Sequence, residues 1–388
     1  MIRHLIKLIW NKRGTHALLI IEIWASFMVL FGVLSMIVYN FTNYLEPIGF
    51  QYEQVWNLDL KNNQDTIDVG DKLKRALQRV RSYSEVASAS RMSSNAPFSA
   101  SQMNNSVDYN KINVLADQYY TDEAMRATLD LSVESGRWFD ESDKVSKYVS
   151  IIINKKMKEG LFTGDNPLGK VIKVDDKLSY KVVGIIDKFK SHGEFSADEP
   201  GMFRMIGKDD NWNSNMMIKT KPGTDANFEA RLVKDMATML PGWGIEVSYL
   251  KDSRNNRHKI TLVPVMIFLI VSGFLLTNVA LGLFGILNLN IAKRRGEIGL
   301  RRAMGATEAD VTTQFLGEVW VLAIFSIVLG LLFAMQFPLL GVFDVPVNTY
   351  AIAVLAAILI IFLIVTLCAW YPSRQASRIH PAVALHEE

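Results

Sequence analysis

The sequence predicts a membrane protein with four transmembrane helices and a large extracytoplasmic α+β domain of two subdomains. Four apolar runs cover residues 17–40, 260–289, 319–340 and 350–371, and each has the roughly 20 residues that a helix needs to cross a bilayer. A long segment of mixed polarity, residues 41–259, separates the first run from the second. Basic residues gather beside the runs, and their positions predict the orientation of the chain.

Residues 1–16 are predicted to form an amphipathic helix in the inner membrane interface. Apolar and basic side chains fall on different helical faces: Ile2, Leu5, Ile6, Ile9 and Trp10 against Arg3 and Lys7. A cytoplasmic extension of the first transmembrane helix is the alternative that the pattern leaves open.

The basic residues place both termini and the connector, which we define as residues 290–318, in the cytoplasm. They are Arg3, Lys7, Lys12 and Arg13 before the first run, Lys293, Arg294, Arg295, Arg301 and Arg302 in the connector, and Arg374 and Arg378 after the fourth run. Residues 41–259 and the short turn 341–349 are then outside, and residues 372–388 form a cytoplasmic tail. We therefore expect a multi-pass protein of the inner (cytoplasmic) membrane.

The outer segment is expected to be electrically neutral, because it carries equal numbers of acidic and basic residues. The surplus in the net charge of +3 therefore lies at the inner face, where anionic headgroups attract it. This distribution argues against a nucleic acid partner. The single cysteine, Cys368, allows no intramolecular disulfide, so the outer domain must be stabilised by its own core.

Strand, helix and strand patterns follow one another at each end of the outer segment, over residues 53–91 and 215–250. These two units are expected to form one subdomain beside the membrane. Residues 101–207 between them are rich in β-branched runs, with turn signals at Gly164 to Pro167 and around His192. We expect an inserted second subdomain there.

No catalytic or cofactor site is predicted. The run from Gly164, G-D-N-P-L-G-K-V, nearly matches a nucleotide-binding loop. However, Val171 replaces the hydroxyl that would hold Mg²⁺, Pro167 removes a backbone donor, and a strand pattern follows. The run is expected to be a turn. The six histidines show no metal-ligand spacing, and His192 and Glu194 are expected in a solvated loop, so we also expect no metal.

The second transmembrane run carries small and amide residues, Asn278, Gly282, Gly285 and Asn288, at spacings of three and four. Such a face lets two membrane helices approach closely. It predicts either a dimer interface or packing within the subunit, and the spacing does not decide between them. Glu22, near the inner end of the first run, is expected to extend to the interface or to pair with a basic residue.

The connector is expected to contain two helices separated at Gly305. Thr307 is a predicted N-cap, with Asp310 at the position of a capping box. The second helix would continue to Glu318 and enter the third transmembrane run. Composition favours an ordinary amphipathic connector, and a docking site for another protein is the alternative.

Three sets of motifs resemble FtsX/MacB-type ABC transporter permeases. The run R-G-E-I-G-L-R-R-A-M-G-A-T from Arg295 resembles the loop of that family, which continues to a glutamate at the entry of the next span, here Glu318. The tail Y-P-S-R-Q-A-S-R-I-H-P-A-V-A-L from Tyr371 is similar to the family's ending. In the outer segment, E-S-G-R-W-F from Glu134 and L-F-T-G-D-N-P-L-G-K from Leu161 resemble the MacB-type periplasmic core.

The resemblance implies a permease that forms a homodimer or heterodimer and is driven by a cytoplasmic ABC ATPase, which would hold the ATP and Mg²⁺. In MacB the ATPase precedes the first span on the same chain. Here the first span begins near residue 17, so we expect a separate ATPase subunit. The residues implied to couple to it are Arg295, Glu297, Ile298, Gly299, Arg302, Gly305 and Ala306, with Glu318 at the entry to the next helix.

The implied function is export or extraction of a hydrophobic, peptide or lipidated substrate. A periplasmic adaptor and an outer-membrane channel are further partners that the resemblance allows. A different class of protein stays open as the alternative: a membrane receptor or regulator that senses an external ligand, or activates a cell-envelope hydrolase, without transport. A purely structural membrane anchor would leave the pattern of the connector unexplained.

Overall fold

The computed structural model describes residues 13–92, 95–100, 102–173, 179–207 and 214–378. The chain divides into two compact units, which we call the membrane unit, Met1–Phe41 with Leu262–Glu388, and the sheet unit, Thr42–Thr261. Residues 1–12 of the predicted interfacial helix and residues 379–388 of the predicted tail lie outside the described residues.

The α-helices of the described residues are α1 Arg13–Tyr44, α2 Val69–Arg81, α3 Met125–Leu129, α4 Lys155–Phe162, α5 Ala226–Met239, α6 Leu250–Lys293, α7 Arg295–Ala303, α8 Glu308–Ala334, α9 Gln336–Leu339 and α10 Val347–Ser377. The strands are β1 Val55–Lys61, β2 Val86–Met92, β3 Asn104–Tyr109, β4 Ile112–Thr121, β5 Val133–Gly136, β6 Val149–Asn154, β7 Val171–Lys173, β8 Ser179–Ile186, β9 Gly201–Met205, β10 Asn215–Thr220 and β11 Gly244–Tyr249.

Four of the described helices, α1, α6, α8 and α10, are long and apolar enough to cross a membrane. Helix α6 has 44 residues and is therefore about 66 Å long at 1.5 Å per residue, which is twice the thickness of a hydrocarbon core. Helix α8 begins at Glu308, within the connector, and continues without a break into the third apolar run. The fold class predicted from the four apolar runs is confirmed.

Close packing holds the membrane unit together, since lipid offers helices no hydrophobic driving force to associate. Every fourth residue of α10 is buried from Ala353 to Ala369: Ala353, Ala357, Ile361, Val365 and Ala369. On α8, Gly330 lies directly against the fully buried ring of Phe27 from α1. A Cβ atom at Gly330 would lie 2.4 Å from Cδ1 of that ring, so only glycine permits this approach.

Strands β11, β1, β10 and β2 form the part of the sheet unit that is antiparallel throughout. Helices α2 and α5 bury their apolar faces in the same core, which includes Leu73, Leu77, Phe228 and Leu232. The strands and helices predicted over residues 53–91 and 215–250 are confirmed with shifts of at most two residues, and the two strand–helix–strand patterns share one sheet.

Asp65 fastens the turn before α2 to the segment that leads into β11. It accepts hydrogen bonds from Nζ of Lys72 at 2.7 Å and from Nε1 of Trp243 at 2.8 Å, and a further one from the backbone N–H of Ile67 at 3.1 Å. The Lys72 ammonium and these donors lower the pKa of Asp65 to about 2.

The remaining strands continue the same sheet in the order β4, β9, β6, β8 and β5, with β3 paired to β4 and β7 paired to β8. Parallel pairing occurs between β4 and β9 and between β6 and β8. One residue pair, Met92 with Thr121, joins this part to β2. Since the sheet is continuous and residues 42–261 form one compact unit, the predicted division into two subdomains is not confirmed.

Side chains supply much of the connection where β2 meets β4. Asp122 accepts hydrogen bonds from Oγ of Ser90 at 2.5 Å, from the backbone N–H of Arg91 at 3.2 Å and from the guanidinium of Arg81 at 3.0 Å. Oγ1 of Thr121 also donates to the carbonyl of Arg91 at 3.1 Å. These bonds take the place of the ladder bonds that the short pairing lacks.

The run from Gly164 that nearly matches a nucleotide-binding loop is a turn between α4 and β7. Thr163 and Gly164 have positive φ angles of 32° and 102°, and Gly169 has a φ of 78°. The strand β7 begins at Val171. No helix N-terminus follows that could receive a phosphate, and the prediction of a turn followed by a strand is confirmed.

Candidate functional site

The connector folds as two helices with a sharp turn between them. Helix α7 ends at Ala303, and Gly305 has a φ of 101°, which a residue with a Cβ atom rarely adopts. Thr307 caps α8, because its Oγ1 accepts from the backbone N–H of Asp310 at 3.2 Å and the Asp310 carboxylate accepts from the N–H of Thr307 at 2.9 Å. The predicted break and the predicted capping box are both confirmed.

A small apolar cluster fixes α7 to the membrane unit. Ile298 packs with Val311 and Phe315 of α8 and with Ala376 of α10, and all four are buried. Gly299 beside it is also buried. The inner face of α7 is therefore a packing surface, and its outer face is available to solvent or to another protein.

Two arginines tie α7 to the start of α8. The Arg301 guanidinium donates to Glu297, one turn earlier, and to the side-chain oxygen of Gln314, at 2.5 Å each. The Arg302 guanidinium donates to the carbonyl of Ala306 at 3.0 Å, across the turn. These bonds hold the turn in one shape.

A partly buried ion pair closes the base of the connector. Nη1 of Arg294 lies 2.8 Å from Oε1 of Glu318, and the exposed fractions of the two side chains are 17% and 21%. Because Arg294 precedes α7 and Glu318 is the eleventh of the 27 residues of α8, this pair joins the two ends of the connector.

The outer face of the connector carries exposed apolar side chains beside a groove. Leu300 is 51% exposed and Met304 is 73% exposed. The groove has a volume of about 260 Å³ and is lined by Arg301, Met304, Ala306, Asp310, Val311 and Gln314. We call Leu300 and Met304 the α7 tip. Apolar side chains with polar residues around them are the arrangement that protein interfaces favour.

The structure separates the seven residues implied for coupling by their exposure. Arg295, Glu297 and Gly305 are exposed, and Arg302 and Ala306 are partly exposed. Ile298 and Gly299 are buried, so they can act only by shaping α7. Leu300 and Met304 were missed by the sequence reasoning, which followed the motif. Both lie within the run from Arg295, but the sequence alone does not show which apolar residues of that run are buried and which are exposed.

The residues predicted for helix packing on α6 do not share one environment. A Cβ atom at Gly282 would lie 3.0 Å from Oε2 of Glu22, so Gly282 faces α1 of its own subunit. Gly285 has no heavy atom of another residue within 4 Å of such a position among the described residues. Asn278 donates to the carbonyl of Phe274 in its own helix at 2.9 Å. Gly282 therefore serves packing within the subunit, and Gly285 leaves an open face.

The loop that contains His192 and Glu194 is not solvated, and that prediction was wrong. The Glu194 side chain is buried and accepts from Nε2 of His258 at 2.8 Å and from the guanidinium of Arg254. Lys190 is also buried, and its ammonium donates to the carbonyl of Asn43 at 2.7 Å. The burial depends on contacts with α1 and α6 that lie far away in sequence, so no local pattern predicts it.

Two families match most of the chain. Residues 23–234 match the family described as MacB-like periplasmic core domain, and residues 269–381 match the family described as FtsX-like permease C-terminal. Among relatives, a "Macrolide export ATP-binding/permease protein MacB" of Bartonella henselae is 26% identical over 71% of this chain and 42% of that protein. A protein of the same name from Neisseria meningitidis is 24% identical over 80% of this chain and 48% of that protein.

Two solved structures of protein regions outside the membrane match part of this chain. The periplasmic region of MacB from Actinobacillus actinomycetemcomitans matches with a TM-score of 0.39 and 14% identity, over 55% of this chain and 96% of that one. The extracellular domain of the transporter YknZ matches with a TM-score of 0.36 and 16% identity, over 50% of this chain and 99% of that one. Both scores are below 0.5, and the family assignment rests on the sequence matches.

The four apolar helices, with the sheet unit inserted in the sequence after the first of them, define a multi-span membrane protein. The MacB-like match alone covers more than half of the chain. The chain belongs to the MacB/FtsX-like family of ABC transporter permeases. This membership and the apolar helices indicate an inner-membrane protein. The chain spans less than half the length of the MacB relatives it matches, and it corresponds to their permease part.

Proposed function

We propose that this chain is a permease subunit that receives an ATP-driven movement from a separate cytoplasmic ATPase and passes it to the sheet unit on the other side of the membrane. The movement would serve the export or extraction of a hydrophobic, peptide or lipidated substrate. Family membership and the macrolide export for which the MacB relatives are named support this proposal. The ATPase would bind the ATP and Mg²⁺, and this chain would bind neither.

The exposed tip of α7 is the observation that carries the proposal. Leu300 and Met304 present apolar surface beside a groove, and the buried Ile298 holds the helix in place beneath them. A rigid helix with an apolar tip transmits a push better than a flexible loop does. The basic residues around the tip support its cytoplasmic location, which puts both chain termini on the same side.

Two copies of the permease, identical or similar, are part of the proposal. The face of α6 around Gly285 is open in the single subunit, and a small residue there lets a second helix come close. Gly282 is already used against Glu22 of the same subunit, so we place the dimer contact at Gly285 and Asn278. ATP binding would then need to bias two arrangements of the helices by only a few kcal/mol.

The test is capture of an ABC ATPase encoded next to this chain, after co-expression and purification of the permease in detergent. The variant replaces both apolar tip residues, Leu300→Ser with Met304→Ser. The matched control is Val145→Ser, which removes an exposed apolar side chain from the sheet unit. We expect the double variant to capture about ten-fold less ATPase, as loss of a central interface contact does, and the control to capture the wild-type amount.

Equal capture by the double variant and the wild type would refute docking at the α7 tip. Failure of the wild-type chain to capture any ATPase would contradict the transporter proposal and favour the receptor or regulator alternative, which needs no ATPase.

A further inference from the structure

Three side chains with metal-binding atoms meet in the sheet unit: Asp117 on β4, His192 in the loop after β8, and Glu199 just before β9. One atom from each of them lies within 4.8 Å of the atoms from the other two. Nε2 of His192 is 3.4 Å from Oδ2 of Asp117. That separation is close to the edge of a tetrahedron with metal–ligand bonds of about 2.1 Å.

Sheet pairing brings two of the three ligands together. Strands β4 and β9 are parallel, with Asp117 beside Gly201, and the backbone N–H of Asp117 donates to the carbonyl of Pro200 at 2.8 Å. The Asn154 amide donates to the carbonyl of Glu199 at 2.6 Å and accepts from the N–H of Gly201 at 2.9 Å. The backbone that carries Asp117 and Glu199 is therefore fixed before any ion binds.

The third ligand is held by its neighbour in the chain. Ser191 shares a hydrogen bond of 2.9 Å with the hydroxyl of Tyr119, and its carbonyl accepts from the N–H of Phe98 at 2.7 Å. The side chain of His192 is 15% exposed, and its Nε2 atom is shielded from solvent with no hydrogen-bond partner among the described residues. A buried imidazole nitrogen without a partner is unfavourable unless something binds it.

Asp117 has the features of a positioned ligand. Its side chain is 4% exposed, and its Oδ2 atom lies 3.4 Å from Nε2 of His192. The Tyr119 hydroxyl donates to the Asp117 carboxylate at 3.1 Å, which is the kind of supporting hydrogen bond that orients metal ligands. Glu199 is exposed, and it would close the site from the solvent side.

We propose that Asp117, His192 and Glu199 form a binding site for a divalent transition-metal cation of the zinc class. One imidazole nitrogen and two carboxylate oxygens suit such an ion, and water would complete its coordination. The site needs no ATPase and no transport activity, so it is independent of the function proposed above.

Metal binding would brace the loop that also contacts both helices leading out of the sheet unit. Lys190 in that loop donates a hydrogen bond to the carbonyl of Asn43 near the end of α1. Glu194 in the same loop accepts hydrogen bonds from Arg254 and His258 near the start of α6. An ion on His192 would link this loop to strand β4 through Asp117. The ion would therefore restrain the ends of both helices together.

The experiment is a Co²⁺ titration of the full chain in detergent, purified through a tag without histidine and treated with a chelator first. Visible absorption reports Co²⁺ bound to nitrogen and oxygen ligands, and Zn²⁺ is then added as a competitor. The variants are His192→Gln, Asp117→Asn and Glu199→Gln. His258→Gln is the matched control, because it removes a histidine that also lies against a buried carboxylate, Glu194.

We expect one Co²⁺ per wild-type chain, displaced by Zn²⁺, with affinity lowered at least about ten-fold in His192→Gln and Glu199→Gln, as for loss of a ligand or its support. His258→Gln should bind like the wild type. Circular dichroism checks the fold of Asp117→Asn. If Asp117→Asn misfolds, Glu199→Gln still tests the site, because Glu199 is exposed. Binding that is the same in the wild type and His192→Gln, or that is lost only in His258→Gln, would overturn the proposal.

Discussion

Replacing Ile298 by alanine is expected to loosen α7, whereas the same change at Leu300, two residues along, is expected to leave it in place. Ile298 is 5% exposed and packs in a four-residue cluster. Truncation removes three buried carbon atoms, and the lost burial together with the cavity left behind is expected to cost about 2–4 kcal/mol. Leu300 is 51% exposed, so its truncation should cost about 1 kcal/mol at most.

Hydrogen–deuterium exchange of the α7 amides measures this difference directly, because it reports local opening. The expected loss in Ile298→Ala corresponds to exchange that is about 30- to 1,000-fold faster, and Leu300→Ala should change it by less than about ten-fold. ATPase capture by the same two variants completes the assay. Leu300→Ala should capture less ATPase while its exchange stays near that of the wild type.

Two results would refute the reasoning. Unchanged exchange in Ile298→Ala would mean that the apolar cluster does not hold α7. Normal ATPase capture by Leu300→Ala would mean that the exposed side chain makes no contact with the partner.

Three further changes test the packing and charge of the described residues. Gly330→Ala should lower the midpoint of thermal unfolding, which is monitored by dye labelling of the single cysteine, because the added methyl meets a buried ring at 2.4 Å and overpacking costs about 1–3 kcal/mol. Gly317→Ala is the control: its added methyl meets nothing within 4 Å, so the midpoint should not fall. Glu318→Arg should also lower that midpoint, and adding Arg294→Glu should restore part of the loss. If the loss in the double variant equals the sum of the losses in the two single variants, the two side chains do not couple. Asp65→Asn should destabilise the sheet unit near neutral pH, as measured by tryptophan-detected unfolding. The difference in stability from the wild type should shrink as the pH falls from 3.8 to about 2, because the wild-type carboxylate, with its lowered pKa, loses its charge in that range. A stability difference that does not depend on pH would contradict this.

The parts of the fold that follow local rules were predictable. A transmembrane helix is set by the length and polarity of one run, so α1, α6, α8 and α10 were found. The capping box at Thr307 is also a local signal. Strands β5 and β9 were not located, because their pairing partners are distant in sequence. Strands β3 and β4, which pair with each other as a hairpin, were not located either. The same lack of a local signal concealed the continuity of the sheet.

The two candidate sites differ in the same way. The connector was visible because its motif lies in one stretch of sequence, and the structure added only the exposure of Leu300 and Met304. Asp117, His192 and Glu199 come from separate places along the chain and have no ligand spacing. Their meeting depends on the parallel register of β4 and β9, which only a three-dimensional description provides.

The strands β2 and β10 have a topological consequence. Strand β2 ends at Met92, strand β10 begins at Asn215, and these two residues are partners in antiparallel register. The chain therefore leaves and re-enters the four-stranded part of the sheet at one place, as it would through a very long hairpin loop. A change in the length of the intervening residues would therefore leave the order of β11, β1, β10 and β2 unchanged.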